Sequence, residues 1–102
     1  MEAKRTKELI DSAIKAEIEH AKQNWGPTYA SEHEAYAVLK EEVEEAADDL
    51  ELLQEDLELL WNSTKGNAQE VCRVNRSHIA KLALALAIEA VQIAAVANKA
   101  GV

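Results

Sequence analysis

The stretch Tyr36–Leu60, YAVLKEEVEEAADDLELLQEDLELL, decides the fold. Tyr36, Leu39, Val43, Ala46, Leu50, Leu53, Leu57 and Leu60 follow one another at alternating steps of three and four residues. That spacing is an unbroken heptad seam on one helix. Just upstream, Ser31 and Glu34 form an S-x-x-E capping box, the signature of a helix start. The reading predicts a helix over Glu32–Asn62, roughly 47 Å long at about 1.5 Å per residue. A compact domain of this size has a radius of gyration of only about 13 Å. The helix is too long to be covered by its own chain, so the expectation is a homodimer or homotetramer.

Working outward, Ile10, Ile14 and Ile18 lie at steps of four and predict a first amphipathic helix over Glu2–Lys22. Trp25-Gly26-Pro27-Thr28 ends it, because Gly and Pro break the period. Asn62-Ser63-Thr64-Lys65-Gly66-Asn67 reads as the second connection. A third helix is expected from about Ala68 to Lys99, with Gly101 as its stop. The expected architecture is a single all-α domain over residues 1–102, with one short and two long helices in a helical bundle. The absence of Phe argues against a β protein.

The chain carries 11 basic and 19 acidic side chains, a net charge of −8. Residues 32–58 alone carry twelve acids and one base, whereas residues 1–31 balance and residues 59–102 are net +3. This acidity argues against a nucleic-acid partner. Cys72 is the single cysteine and has no internal disulfide partner, and no signal peptide is apparent, so the expected compartment is the reducing cytoplasm. The nearly apolar run Leu82–Ala97 spans 16 residues and contains Glu89 and Gln92, which reads as too short and too polar to cross a bilayer.

The acids of the second helix separate by angle at about 100° per residue. With Tyr36 at 0°, the apolar residues cover about 140° to 360°, and Glu41, Glu44, Asp48, Glu51, Glu55 and Glu58 fall on the opposite face. Glu42, Glu45, Asp49 and Asp56 interrupt the apolar arc, at about 180° to 240°. Placed at the edge of the seam, they reach water. Placed under a second helix, they need a cation to offset desolvation. The third helix is apolar on nearly all sides from Leu82 to Ala97 and is expected to be buried. Its polar members Glu89 and Gln92 are three residues apart and project on one side. A buried Glu calls for a partner: a core cation such as Lys81, a neighbour sharing a proton, or a metal held jointly with the acids of the second helix. Such oxygen ligands suit Mg²⁺ or Mn²⁺, and facing helices in a bundle bring carboxylates together in this way.

HEAYAVLKEEVEEA, His33–Ala46, resembles the first conserved helix of the MazG-like, all-α nucleoside triphosphate pyrophosphohydrolases, especially their short phage and prophage members. The family motif is E-E-x-x-E on one helix and E-x-x-D on the next. Glu41-Glu42-Val43-Glu44-Glu45 matches the first part, and Glu89-Ala90-Val91-Gln92 matches the second in its Glu, with Gln92 standing where the family has Asp. The resemblance covers residues 25–100 in outline. It implies an all-α dimer or tetramer that cleaves a nucleoside triphosphate to the monophosphate and pyrophosphate. It further implies Mg²⁺ (or Mn²⁺) held by Glu42, Glu45, Glu89 and Gln92, with Glu41 activating water or standing behind the ligands. Gln92 brings one negative charge fewer than Asp, so a catalytically silent helical oligomer, or a module binding another protein's helix, are the alternatives.

Arg73, Arg76 and Lys81 could meet phosphates, but surface solubility or pairing with acids of the second helix explains them as well. Trp25 and Tyr29 could stack on a base, although packing accounts for aromatic residues more simply. His78 reads as a satisfied interior histidine, and Cys72 as a small buried hydrophobe.

Overall fold

The computed structural model describes residues 2–25 and 29–100, and the side chains among them except those at positions 2, 24, 25, 99 and 100. The described residues form three helices and no strand: α1 (Glu2–Trp25), α2 (Glu32–Lys65) and α3 (Gln69–Ala100). The all-α expectation therefore holds. The stops assigned to Gly26-Pro27-Thr28 and to Gly101 lie outside the described residues.

Helix α2 begins as the capping box requires. Ser31 Oγ accepts the Glu34 N–H at 3.1 Å, and the Ser31 carbonyl accepts the first helical bond from Ala35 N–H, also at 3.1 Å. Glu32 and Glu34 occupy the first turn, where the helix dipole favours negative charge. The far end differs from expectation: α2 continues through Asn62 to Lys65. Ser63 and Thr64 read as loop residues, but their hydroxyls donate back to the Leu59 and Leu60 carbonyls at 3.0 and 2.7 Å, which satisfies both inside the helix.

The turn that follows is a Schellman motif. The Ala68 N–H donates to the Ser63 carbonyl at 3.0 Å and the Asn67 N–H to the Thr64 carbonyl at 3.1 Å, with Asn67 at φ 55°. Asn67, not the adjacent glycine, takes the left-handed position. A Cβ at Gly66 would meet the Asn62 and Ser63 carbonyls at 3.6 and 3.8 Å, ordinary contact distances. Gly66→Ala is therefore expected to be neutral, or to stabilise by up to about 1 kcal/mol through a stiffer unfolded chain. Asn67→Val places a β-branched residue at positive φ and is expected to cost about 1–3 kcal/mol. Urea denaturation of the two variants measures the difference.

Contacts cluster in two compact units, residues 1–43 with 89–102, and residues 44–88. Among the described residues of the first, Ala35 and Ala95 are fully buried, and Ile14, Ile18 and Ala21 of α1 are half-buried. Ile10, from the same predicted stripe, is 45% exposed. The second unit is the α2–α3 hairpin. Its facing stripes are Ala46, Leu53 and Leu60 on α2 and Cys72, Ile79, Leu82 and Leu86 on α3, all buried or half-buried. Polar pairs join the same helices: Ser63 Oγ lies 3.0 Å from Asn75 Oδ1, His78 Nδ1 lies 3.0 Å from Asp56 Oδ2, and Thr64 Oγ1 lies 3.7 Å from Cys72 Sγ. Cys72 is buried, as expected.

Two expectations are corrected. The third helix is not buried all round: Leu84 is 63% and Ile88 50% exposed, because a neighbouring helix covers only the stripe that faces it. The exclusion of a membrane span also fails on its own terms, since residues 69–98 form one helix that is long and apolar enough to cross a membrane by length and composition.

Candidate metal centre

Glu42 and Glu45 stand one helical turn apart on α2, on the arc that points away from its solvated acidic face. Glu89 stands on α3 in the stripe that continues Leu82 and Leu86. Helix periodicity thus carries each acid to its place, and the three meet: one carboxylate oxygen of each lies within 4.8 Å of the others. Glu42 and Glu89 are half-buried and Glu45 is exposed. The Oε2 atoms of Glu42 and Glu89 are enclosed, and Glu42 Oε2 accepts no hydrogen bond.

An enclosed carboxylate oxygen without a donor costs desolvation free energy. Two like charges 4.8 Å apart also repel, by about 3 kcal/mol at an effective dielectric of about 20. A divalent cation offsets both costs at once. The donor set is all oxygen, the chemistry preferred by Mg²⁺ and Mn²⁺. The residues present therefore fit such an ion.

Glu42 also lines a cavity of about 400 Å³ in the first unit, with Glu17 and His20 of α1, Tyr29 from the connection, Glu34 of α2 and Gln92 of α3. Its apolar wall comes from Val38, Ala95 and Val96. Burial holds the Tyr29 phenol above its usual range, and Glu34 and Glu42 add to the shift, so its hydroxyl remains a donor at neutral pH. Among the described residues, no Lys or Arg lines this cavity. A phosphate could enter it only with a cation to screen the carboxylates.

The structure thus brings together Glu42, Glu45 and Glu89, and sets Gln92 on the cavity that Glu42 lines. Glu41 is exposed and belongs to neither the cluster nor the cavity wall. Of the other acids that interrupt the apolar arc, Asp56 is paired with His78. His78 is satisfied but not interior: its side chain is 66% exposed while that of Asp56 is 14% exposed. Arg73 pairs at 2.5 Å with Glu70 on its own helix. Glu17 and His20 carry no motif in the sequence, and Glu34 stands out there only as the capping-box residue. The available signal was the spacing of Glu17, Ala21 and Ile14, which puts Glu17 on the half-buried side of α1.

Comparison of the chain with protein-family models, with curated proteins and with solved structures finds no match. The site is therefore read from its own residues.

Proposed function

We propose that the chain is a Mg²⁺- or Mn²⁺-dependent nucleoside triphosphate pyrophosphohydrolase, acting in the cytoplasm to remove nucleotides from the pool. The observation that carries this reading is the convergence of Glu42, Glu45 and Glu89, with an enclosed Glu42 oxygen lacking a donor, beside an acid-lined cavity. The MazG-like sequence pattern over His33–Glu45 and Glu89–Gln92 supports the same reading.

The overall reaction adds water across the bond between the α- and β-phosphoryl groups, giving the monophosphate and pyrophosphate. A bound divalent ion would neutralise phosphate charge and polarise the phosphoryl oxygens. Glu42, Glu45 and Glu89 would hold it through carboxylate oxygens. Gln92 offers a neutral carbonyl oxygen, and Tyr29 an O–H donor to the ligand. Glu41, exposed on the outer face of α2, would stand behind the ligands. The neutral Gln92 supports a second reading, a helical protein of the same architecture that binds metal weakly and turns nothing over.

The two readings part in a thermal-melting series on the intact chain, followed by a pyrophosphate-release assay across the ribo- and deoxynucleotides. The first expects the midpoint to rise by several degrees with millimolar Mg²⁺ or Mn²⁺, to rise further with a non-hydrolysable triphosphate, and release of pyrophosphate. A metal response without turnover supports the second. No response to any metal rejects both.

A further inference from the structure

The hairpin of residues 44–88 has two outer faces of opposite character. At about 100° per residue, Glu44, Asp48, Glu51, Glu55 and Glu58 stand roughly 140–180° round α2 from the stripe that faces α3. All five are exposed. Val74, Ala80, Leu84 and Ile88 stand roughly 115–165° round α3 from the stripe that faces α2. They too are exposed, Val74 and Leu84 by 63%. Because the helices pack through their facing stripes, these outer faces lie on opposite sides of the hairpin. Arg73 and Lys81 share the outer face of α3, one on each side of its centre line, and both are exposed. The only acid of residues 69–88 is Glu70, which is paired with Arg73. Residues 69–98 form a helix long and apolar enough to cross a membrane, yet only 6% of its most apolar stretch is buried. The described residues therefore leave this apolar surface uncovered.

We propose that the outer face of α3, Val74, Ala80, Leu84 and Ile88 with Arg73 and Lys81, lies on the surface of an anionic lipid membrane. The helix rests in the plane of the interface, its apolar side chains at the boundary of headgroups and acyl chains. Arg73 and Lys81 reach the headgroups on long, flexible stems. Binding of this kind draws on buried apolar area and on attraction to anionic lipid together. Each cation held near such a surface strengthens it about fivefold. The acids of α2 do not oppose the contact. Two packed helices, each about 10–12 Å across, hold them roughly 20 Å from the lipid. That is more than two Debye lengths at physiological ionic strength, about 8 Å each. Cations on both sides of the centre line suit a flat anionic surface better than a groove in a partner. Crossing the bilayer is the poorer arrangement. A spanning α3 would carry Lys81, Glu89 or both into the hydrocarbon and uncover the apolar stripe of α2.

The test is flotation of the full chain, in EDTA, with vesicles of phosphatidylcholine containing about 30% phosphatidylserine. EDTA keeps divalent ions from bridging acids to headgroups and makes the result independent of the proposed hydrolase activity. The expected result is binding that weakens as salt rises and is at least about tenfold weaker on phosphatidylcholine alone. Leu84→Asp is expected to weaken it at least about tenfold. Arg73→Gln and Lys81→Gln together are expected to weaken it about 25-fold. Leu57→Asp, at a residue that is exposed on α2 and lies off this face, leaves it unchanged. Circular dichroism follows the helices of all three. If Leu84→Asp unfolds, the double Gln variant, which keeps good helix formers, carries the test. No flotation with the anionic vesicles, equal binding to the two lipid compositions, or equal loss from Leu84→Asp and Leu57→Asp overturns the proposal. So does a solution mass, by sedimentation equilibrium without vesicles, that falls with Leu84→Asp, since a second copy then covers the face.

Discussion

Glu42→Gln is expected to weaken divalent-metal binding about 100-fold and, in the absence of metal, to make the protein more stable. The two effects have opposite signs for one reason. Glu42 places an enclosed oxygen without a hydrogen-bond donor against two other carboxylates within 4.8 Å. Without a cation that arrangement costs stability, and the amide removes the charge while keeping the shape. With a cation, the lost charge removes a few kcal/mol of attraction, about a 100-fold loss in affinity. The wild type should gain about 2.7 kcal/mol when free metal exceeds its dissociation constant 100-fold, whereas the variant, binding about 100-fold more weakly, should gain only about 0.4 kcal/mol. Melting curves with EDTA and with Mn²⁺ should therefore cross: the variant melts higher in EDTA and lower in Mn²⁺. Asp49→Asn is the control, since Asp49 is also half-buried on the same arc of α2 but is not one of the three clustered acids. It should leave the metal response intact. If Glu42→Gln and Asp49→Asn respond alike, the cluster is not a metal centre.

Much of this was legible in the sequence, because helix periodicity is a one-dimensional signal. The seam from Tyr36 to Leu60 and the capping box at Ser31 give the start and direction of α2, and the angular sorting of its acids separates Glu42 and Glu45 from the solvated row. What periodicity does not carry is which part of a wide apolar arc faces its own chain. Leu50 and Leu53 differ by only about 60° on the wheel, yet Leu50 is exposed and Leu53 half-buried. The same ambiguity put α3 wholly inside, although Leu84 and Ile88 face out. Pairing partners are also non-local. Asp56 and Glu42 look alike in sequence, but His78, 22 residues away, reaches Asp56 and lies within hydrogen-bond distance of its carboxylate. The end of α2 was misplaced for a local reason: Ser63 and Thr64 favour loops in general, and only their hydrogen bonds to Leu59 and Leu60 keep them helical.

Gln92→Glu and Gln92→Asp carry the second large effect. Gln92 lines the cavity with Glu42, three residues after Glu89 on α3. Its amide can offer one carbonyl oxygen to a cation but no charge. Replacing it with a carboxylate adds a fourth negative group near the cluster, so metal affinity should rise at least about tenfold, equivalent to about 1.4 kcal/mol. Stability in EDTA should fall, because the added charge has the same carboxylates for neighbours. The two replacements divide the effect. Glutamate keeps the length of Gln92 and changes only its charge, whereas aspartate draws the carboxylate back by one methylene. Calorimetric titration with Mn²⁺ reads both. If Glu and Asp gain alike, the interaction is long-range charge, and Gln92 need not touch the ion. If only one gains, its reach identifies a direct ligand position. If neither gains, the side chain at position 92 serves the cavity and not the metal, and its neutral amide then fits a donor or acceptor to the body of the ligand better than a clamp on its phosphates.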